Sequence, residues 1–241
     1  MKTVIIVQAR MTSTRLPGKV LLPLGGEPML TRLVQRLRRV RLADAIVIAT
    51  TTNASDDAIV ALCERLGVAH HRGSEHDVLS RYAEAATQHQ ADVVVRVTSD
   101  CPLIDPALID RLIEDFAQGD CDYVSNMLPP TWPYGMAVEV FSVQALQEAH
   151  AQASQESERE HVTPFIYRTA QRYRLRNVAC SQNLSHHRWT VDTPEDYELV
   201  SLLFRALHQT NPEFRLEDLL AEMERHPEWM TINQHVQQKQ A

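Results

Sequence analysis

The sequence has few glycines and few cysteines. Of its 241 residues, 7 are glycine and 4 are cysteine. Cys63, Cys101, Cys121 and Cys180 stand far apart and form no C-x-x-C pair. This spacing argues against a zinc site and against a disulfide framework. A cytoplasmic protein with reduced thiols is therefore expected.

Long apolar segments are absent as well. No run approaches the roughly 20 residues that a membrane span needs, and the first residues lead into a short apolar run rather than into a signal peptide. The sequence has no internal repeat and no low-complexity tract. We therefore expect a protein that is neither exported nor inserted into a membrane.

A basic excess is also missing. The formal net charge is -7 and the sequence pI is about 5.9, whereas the footprint of a nucleic-acid-binding domain is a clear basic excess. This balance argues against nucleic acid as the partner. The chain is long enough to bury a substantial core, and we expect a single domain over residues 1–241.

The first half of the chain alternates short apolar runs with amphipathic segments. The runs Val4–Val7, Ala45–Thr50 and Asp92–Val97 are typical of buried parallel strands. Apolar residues at helical spacing lie between them, and the arginines after Leu30 are predicted to form a solvated helix face. This alternation predicts an α/β fold with a mostly parallel sheet covered by helices on both faces.

The pattern changes near residue 120. The loop 128–135 is rich in proline and aromatic residues, which is typical of a lid or a subunit contact. The remaining segments are assigned by the same local patterns. They are helices at about 143–153 and 158–168, strands at Arg174–Val178 and Trp189–Val191, a long helix that starts after Asp192, and a polar tail after His226 that is expected to fray.

The segment Gln8–Lys19, here called the opening loop, follows the first strand directly. It carries the cations Arg10, Arg15 and Lys19, with Ser13 and two threonines between them. Ligands of open α/β sheets bind at the carboxyl ends of the strands, and cations with hydroxyl donors suit a polyanion such as a triphosphate. The alternative is a solvated basic turn. The loop is not a Walker A motif, because it lacks the first glycine and a valine follows Lys19.

Two acidic residues follow predicted strands on the same side of the sheet. They are Asp100, which follows 92–97, and Asp192, which follows 189–191. Nucleotides carry Mg²⁺, which takes one or two carboxylates together with phosphate oxygens and waters. The alternatives are a turn residue for Asp100 and a plain helix cap for Asp192. Together with the opening loop, the pair predicts a metal-triphosphate site.

Six motifs resemble, in this order, the cytidylyltransferases that activate acidic sugars. They are QARMTSTRLPGK (8–19), GSEHDVLSRY (73–82), RVTSDCPLID (96–105), YGMAVEVFS (134–142), EREHVTP (158–164) and RWTVDTPEDYEL (188–199). The likeness covers nearly the whole chain. It is strongest to the SpsF-like branch of spore coat polysaccharide synthesis, and the Kdo (3-deoxy-manno-octulosonate) and acylneuraminate cytidylyltransferases are more distant.

The resemblance implies a three-layer nucleotide-diphospho-sugar transferase (GT-A-like) fold. Residues 1–120 would bind the nucleotide, and residues 121–241 would bind the acceptor and form a homodimer. The implied ligands are CTP and Mg²⁺. The implied reaction transfers CMP to an acidic sugar of nonulosonic or ulosonic type and releases pyrophosphate, for surface polysaccharide biosynthesis.

Site residues follow from the resemblance position by position. It assigns the triphosphate to Arg10, Ser13 and Lys19 with Arg15 beside them, the metal to Asp100 and Asp192, and the cytosine and ribose to Ala9 and the segment Ser74–Asp77. Arg10, Arg15 and Lys19 would take charge on the leaving pyrophosphate, and Arg10 and Lys19 are assigned as catalytic together with the two metal-binding acids.

The acceptor is assigned to Tyr134, Glu139, His161 and Arg188. Arg188 could hold a substrate carboxylate through two hydrogen bonds, or it could be a surface cation before a buried tryptophan. Glu139 could instead face solvent on an alternating strand. His161 and His187 are candidate general bases by residue type, and ordinary surface or core histidines are the alternative.

Two other functions stay open at this point. One is a glycosyltransferase of related GT-A fold, which would normally use an Asp-x-Asp metal motif. The other is a nucleotide-binding relative without catalysis, since Ser99 stands where many relatives have glycine. The Gly-Asp-Glu-Pro of the Kdo enzymes is here Ser99–Pro102, which argues against Kdo as the acceptor.

Overall fold

A mixed sheet of seven strands forms the centre of the computed structural model, which describes residues 1–169 and 171–238. In chain order, the strands of this sheet and of a separate two-stranded hairpin are β1 (Thr3–Gln8), β2 (Pro23–Leu24), β3 (Glu27–Pro28), β4 (Ala45–Thr51), β5 (Ala69–Gly73), β6 (Val93–Thr98), β7 (Tyr123–Ser125), β8 (Glu139–Ser142) and β9 (Leu175–Asn177). The central sheet has the order β5-β4-β1-β6-β8-β7-β9, and β2 and β3 form a separate hairpin.

Helices cover both faces of this sheet. They are α1 (Met29–Leu37), α2 (Asp57–Leu66), α3 (Val78–Gln88), α4 (Pro106–Ala117), α5 (Val143–Gln152), α6 (Glu156–His161), α7 (Pro164–Arg168), α8 (Pro194–His208), α9 (Leu216–Arg225) and α10 (Met230–Asn233). No helix among the described residues is long and apolar enough to cross a membrane.

Strand β1 lies at the middle of the parallel part of the sheet, between β4 and β6. Its residues alternate between the two faces, because successive side chains of a strand point in opposite directions. Ile5 and Val7 join one buried cluster, with residues of α1, α4, α8 and α9. Val4 and Ile6 join a second cluster, with residues of α3 and α5. Both faces are buried, which confirms the predicted three-layer α/β fold.

The second half adds β8, which runs antiparallel to both β6 and β7. The sheet is therefore mostly parallel with one reversed strand. The predicted long helix is confirmed as α8, since the Thr193 hydroxyl accepts a hydrogen bond from the Asp196 amide and Pro194 occupies the first turn.

The predicted strand at Trp189–Val191 is wrong. Only Arg188 forms a β-bridge there, with Tyr134. The extended chain instead bonds to two different partners, because the Trp189 amide donates to the Tyr134 carbonyl at 2.7 Å and the Val191 amide donates to the Asp100 carbonyl at 2.8 Å. The segment thus joins the 128–135 loop to the end of β6.

The predicted single helix at 158–168 is two short helices. Helix α6 ends at His161, Val162 has a φ of 73°, and α7 begins at Pro164. Val162 leaves the right-handed helical region, and proline is favoured in the first turn of a helix, so a new helix begins at Pro164. The break brings the Thr163 side chain to the sheet.

Two expectations about solvent exposure are also wrong. Arg36, predicted on a solvated face, is buried and donates to the carbonyls of Ile104 and Phe214 at 2.7 and 2.9 Å. The tail after His226 does not fray over its described part, because α10 packs on α8 and buries Asn233. The rest of that tail, residues 239–241, lies outside the described residues.

Gly135 offers a test of this packing. Its φ is +104°, and a Cβ atom there would lie 2.5 Å from the carbonyl carbon of Trp189. We expect Gly135→Ala to lower the free energy of unfolding by about 3 kcal/mol, because it adds backbone strain and a clash with main-chain atoms. Gly119→Ala should cost about 1 kcal/mol, since that glycine has positive φ and open space around it. Equal losses in urea unfolding would contradict this account of Gly135.

Candidate active site

A cavity of about 600 Å³ opens at the carboxyl ends of β1 and β6. It is lined by residues from both halves of the chain. Those that the sequence singled out are Ala9, Arg10, Ser13, Arg15, Lys19, Asp100, Tyr134, Glu139, His161 and Asp192. The predicted triphosphate, metal and acceptor residues thus largely meet in one place.

Backbone contacts hold the opening loop in position. The Met11 amide donates to Asp56 at 2.8 Å, and the Gly18 amide donates to the Met11 carbonyl at 2.9 Å. Asp56 is fully buried, and its second oxygen accepts from Thr50 and Thr51. Burial alone would raise the pKa of Asp56, but the hydrogen bonds from Thr51 and Met11 outweigh it and lower that pKa. The loop is therefore tied to the first turn of α2 by a carboxylate.

Lys19 links the two predicted metal-binding acids. Its ammonium nitrogen lies 3.0 Å from Asp100 Oδ2, 2.9 Å from Asp192 Oδ1 and 2.8 Å from the carbonyl oxygen of Val191. Burial alone would lower the pKa of Lys19, but the two carboxylates outweigh it and raise that pKa. Burial alone would raise the pKa of Asp100, but Lys19 and the hydrogen bond from Thr98 lower it. All three N–H groups of the Lys19 ammonium therefore donate to oxygen atoms of the protein.

Asp192 has two further cationic neighbours. Its Oδ2 accepts from Arg188 at 2.9 Å and lies 2.9 Å from a terminal nitrogen of Arg15. Arg15 is partly exposed and lines the cavity. Arg188 is buried behind Asp192, pairs with Asp196, and is not among the residues that line the cavity. Arg188, which was predicted to contact the acceptor, thus lies behind Asp192 as seen from the cavity.

The two carboxylates fit a divalent cation. They approach one nitrogen atom from two sides, and both line the cavity. No cluster of three or more histidine, cysteine or acidic side chains suited to a metal exists in the part of the chain that the structure describes. A metal here would therefore have only two protein ligands, which suits Mg²⁺, whose other ligands are substrate phosphates and waters.

Arg10 lies at the other end of the opening loop. Its guanidinium is 3.6 Å from Glu75, which also accepts hydrogen bonds from Thr12 and Asn53. The segment predicted to hold the nucleoside lies outside the cavity lining. In that segment the Asp77 side chain caps α3 and pairs with Arg159, and the Ser74 hydroxyl accepts from the Asp77 amide. Ser74 and Asp77 are thus engaged with the protein itself.

Glu139 points into the cavity wall rather than to solvent. Its Oε1 accepts from the hydroxyls of Tyr123 and Thr163, at 2.5 Å each, and its Oε2 pairs with Arg96. The Arg96 guanidinium also donates to Gln8 at 3.1 Å. Arg96 was not among the site residues predicted from the sequence, although a single charge within a run of valines indicates a residue with a specific partner.

The two candidate histidines lie in different places. His161 lines the cavity, and burial lowers its pKa, so the imidazole is neutral near pH 7. His187 does not line the cavity. It is buried against Trp189, and burial together with His186 lowers its pKa to about 4. His187 is therefore a core histidine.

The sequence contains one Asp-x-Asp triplet, Asp120–Asp122, which is the kind of motif that a glycosyltransferase of GT-A fold would use to bind its metal. Asp120 pairs with Arg176 and Asp122 pairs with Arg174 at the far end of the sheet, beside β7 and β9. Neither aspartate lines the cavity. The triplet therefore stabilises the edge of the sheet in the described structure and lies apart from the candidate site.

Comparisons with known proteins agree with this geometry. A family model described as cytidylyltransferase matches residues 4–225. The spore coat polysaccharide biosynthesis protein SpsF of Bacillus subtilis is 35% identical over 235 residues, which cover 94% of this chain and 95% of that protein. This confirms the family that the six motifs indicated.

Two solved structures share the fold. A cytidylyltransferase from Leptospira borgpetersenii has a TM-score of 0.91 and 31% identity, and the match covers all of both chains. A CMP:2-keto-3-deoxy-manno-octonic acid synthetase complexed with CTP has a TM-score of 0.65 and 20% identity, covering 86% of this chain and 99% of that one. At that identity the second likeness concerns the fold alone.

Replacing Lys19 tests the central ion pairs. Lys19→Met leaves the buried Asp192 and the partly buried Asp100 without their shared cation, and we expect a loss of about 3 kcal/mol of stability at pH 7. In the wild type the Asp100 contribution is present above its unfolded pKa and is lost as the pH falls through its lower folded pKa. The Lys19 contribution is lost at high pH, as the pH rises through its raised folded pKa.

The Lys19→Met variant should lose less stability than the wild type as the pH falls. Without Lys19, the neighbouring carboxylates repel and take up a proton more readily, so the deficit relative to the wild type should shrink between pH 7 and pH 4. Urea unfolding at a series of pH values measures both effects. A deficit that is constant with pH would mean that the ion pairs contribute nothing specific.

Proposed function

The chain belongs to the cytidylyltransferase family of enzymes, and from this premise we propose that it transfers CMP from CTP to an acidic sugar and releases pyrophosphate. The observation that carries the proposal is the cavity in which the cations of the opening loop face the carboxylates of Asp100 and Asp192. A triphosphate with its metal requires both charges in one place.

The opening loop supplies the phosphate-binding groups. Arg10, Ser13 and Arg15 line the cavity, and the two arginines are partly exposed and held by single carboxylates. Exchanging such a carboxylate for a phosphate oxygen costs little free energy, because partly exposed ion pairs contribute little stability. Lys19 reaches the same region from the end of the loop, between the two acids.

Asp100 and Asp192 would hold Mg²⁺ in this proposal. When bound there, the ion would neutralise phosphate charge and make the α-phosphorus a better electrophile. Both aspartates lie close to regular elements, since Asp100 is two residues after the end of β6 and Asp192 is two residues before the start of α8.

The transfer itself is a single displacement. The oxygen of an acceptor hydroxyl forms a bond to the α-phosphorus of CTP, the bond from that phosphorus to the oxygen that bridges to the β-phosphate breaks, and pyrophosphate leaves with the electron pair. The hydroxyl proton passes to solvent or to a neutral imidazole. His161 is the one histidine that lines the cavity in the described parts of the chain. Catalysis then consists mostly of positioning and charge neutralisation.

The acceptor side is formed by residues 121–241. Tyr134, Glu139 and His161 face the cavity there, and the Glu139 network with Arg96 fixes its floor. Support for an acidic sugar comes from the resemblance of the six motifs to the cytidylyltransferases that activate acidic sugars. Support for surface polysaccharide synthesis comes from the SpsF relative. The proposal includes a homodimer in the cytoplasm, with contacts through 128–135 and 158–167.

A turnover assay tests the proposal. We expect Mg²⁺-dependent pyrophosphate release from CTP in the presence of a nonulosonic or octulosonic acid, and no comparable release with ATP, GTP or UTP. Asp100→Asn should lower kcat/KM at least about 100-fold, because it removes a charged ligand of the metal. The matched control is Asp120→Asn, which removes a carboxylate from an exposed pair outside the cavity and should leave kcat/KM unchanged within about twofold.

Other outcomes separate the alternatives. Absence of pyrophosphate release with all four nucleotides across the acceptor panel would overturn the proposal. Activity that depends on Asp120 and Asp122 but not on Asp100 would favour a glycosyltransferase with its Asp-x-Asp motif. Tight Mg²⁺-dependent CTP binding without turnover would favour a nucleotide-binding relative.

A further inference from the structure

Arg188 itself does not line the cavity, but it is bonded to Asp192, which does. Its Nη2 donates to Asp192 Oδ2 at 2.9 Å and to Asp196 Oδ2 at 3.0 Å, and its Nε donates to Asp196 Oδ1 at 2.9 Å. Its Nη1 donates to the side-chain oxygen of Gln238. Only 7% of the side chain is exposed. Each nitrogen of the guanidinium thus has a protein partner, and four of its five N–H donors are used in these bonds, which leaves Arg188 unable to hold an acceptor carboxylate through two hydrogen bonds.

Asp196 is fixed even more strongly. It is fully buried, and its Oδ2 also accepts from the backbone amides of Asp192 and Thr193, at 3.0 and 3.2 Å. The same carboxylate therefore holds both the main chain of Asp192 and the guanidinium that contacts the Asp192 side chain. The position of Asp196 determines how Asp192 is presented to the cavity.

A distant residue completes the network. Asn233, at the end of α10, is buried, and its Nδ2 donates to Asp196 Oδ1 at 2.8 Å and to the Arg188 carbonyl at 2.9 Å. Together with the contact from Gln238, this makes the segment 230–238, here called the C-terminal segment, the back wall of the network. Among the described residues between 195 and 230, Asp196 alone makes a side-chain hydrogen bond to Arg188.

The cations around Asp192 differ in how firmly they are held. Arg15 contacts Asp192 with one nitrogen, and 30% of its side chain is exposed on the cavity side. Arg188 contacts Asp192 while three other hydrogen bonds hold it to Asp196 and Gln238. A phosphate oxygen could therefore draw Arg15 away from Asp192, whereas Arg188 would keep its position.

We propose that Arg188 and Asn233, which do not line the cavity, are positioning residues that orient the Asp192 carboxylate through the hydrogen bond from Arg188 to Oδ2. The C-terminal segment thereby sets the affinity of the site for its divalent cation. This inference rests on the proposed function, in which Asp192 binds Mg²⁺ together with CTP. Hydrogen-bond partners behind a metal ligand commonly change metal affinity 10- to 100-fold when they are removed.

The test is Asn233→Ala in the full chain. It removes both donated hydrogen bonds and touches no residue that lines the cavity. We expect Mn²⁺ binding in the presence of CTP, measured by the loss of the free-ion electron paramagnetic resonance signal, to weaken about 10-fold. The Mg²⁺ concentration for half-maximal pyrophosphate release should rise by a similar factor, while the KM for CTP at saturating metal stays within about twofold of the wild type.

Two further variants sharpen the result. Gln234→Ala changes the exposed neighbour of Asn233 and should leave Mn²⁺ binding unchanged. Arg188→Lys keeps the buried charge but cannot bond to Asp192 and to both oxygens of Asp196 at once. It should weaken Mn²⁺ binding as well, and it carries the test if Asn233→Ala does not fold.

The outcomes separate this inference from the proposed function. Wild-type Mn²⁺ affinity in both Asn233→Ala and Arg188→Lys would overturn the positioning role. A loss of thermal stability with unchanged Mn²⁺ affinity would show a purely structural role and would overturn it too. A wild-type protein that binds no Mn²⁺ with CTP would contradict the proposed function instead.

Discussion

The contact of one ammonium group with two carboxylates joins the distant parts of this chain. Lys19 ends the opening loop, Asp100 follows β6, and Asp192 lies directly before α8, yet both acids lie within 3.0 Å of the Lys19 nitrogen. A buried charge requires a partner, since an unpaired one costs several kcal/mol. The strands, the loop and the start of α8 must therefore be placed together for the fold to tolerate these three residues.

The surrounding charges extend the same principle. Arg15, Arg188 and Lys19 face Asp100, Asp192 and Asp196, which gives equal numbers of positive and negative groups. The site can stay folded without a ligand because each of these cations already has a carboxylate. Under the proposed function, the triphosphate and its metal bring further charges of both signs, and both Arg15 and Lys19 would exchange a carboxylate for a phosphate oxygen. The buried pair of Arg188 and Asp196 provides the fixed frame.

The sequence predicted the parts of this arrangement that depend on local pattern. Valine-rich runs identified β1, β4 and β6, and the position of a residue just after a strand placed Asp100 at the cavity. The Thr-Pro-Glu-Asp order identified the start of α8. The family resemblance then narrowed the expected nucleotide to CTP, and the matching family model bears out that family.

What the sequence could not predict depends on contacts between distant residues. Trp189–Val191 has the composition of a strand, but its amides bond to Tyr134 and to Asp100 rather than to a neighbouring strand. Arg188 lies next to a tryptophan in sequence, and nothing local indicates that Asn233, 45 residues away, holds its carbonyl. The burial of Arg36 likewise depends on carbonyls 68 and 178 residues further along the chain.

The central claim is that Asp100 and Asp192 form one cation site that Lys19 occupies until nucleotide and metal bind. A crystal structure of the protein with CTP and Mn²⁺, with anomalous data at the manganese edge, tests it most directly. The account predicts an anomalous peak in contact with both carboxylates, with the Lys19 nitrogen moved onto a phosphate oxygen. A peak remote from these acids, or CTP bound with Lys19 still between them and no metal present, would contradict it.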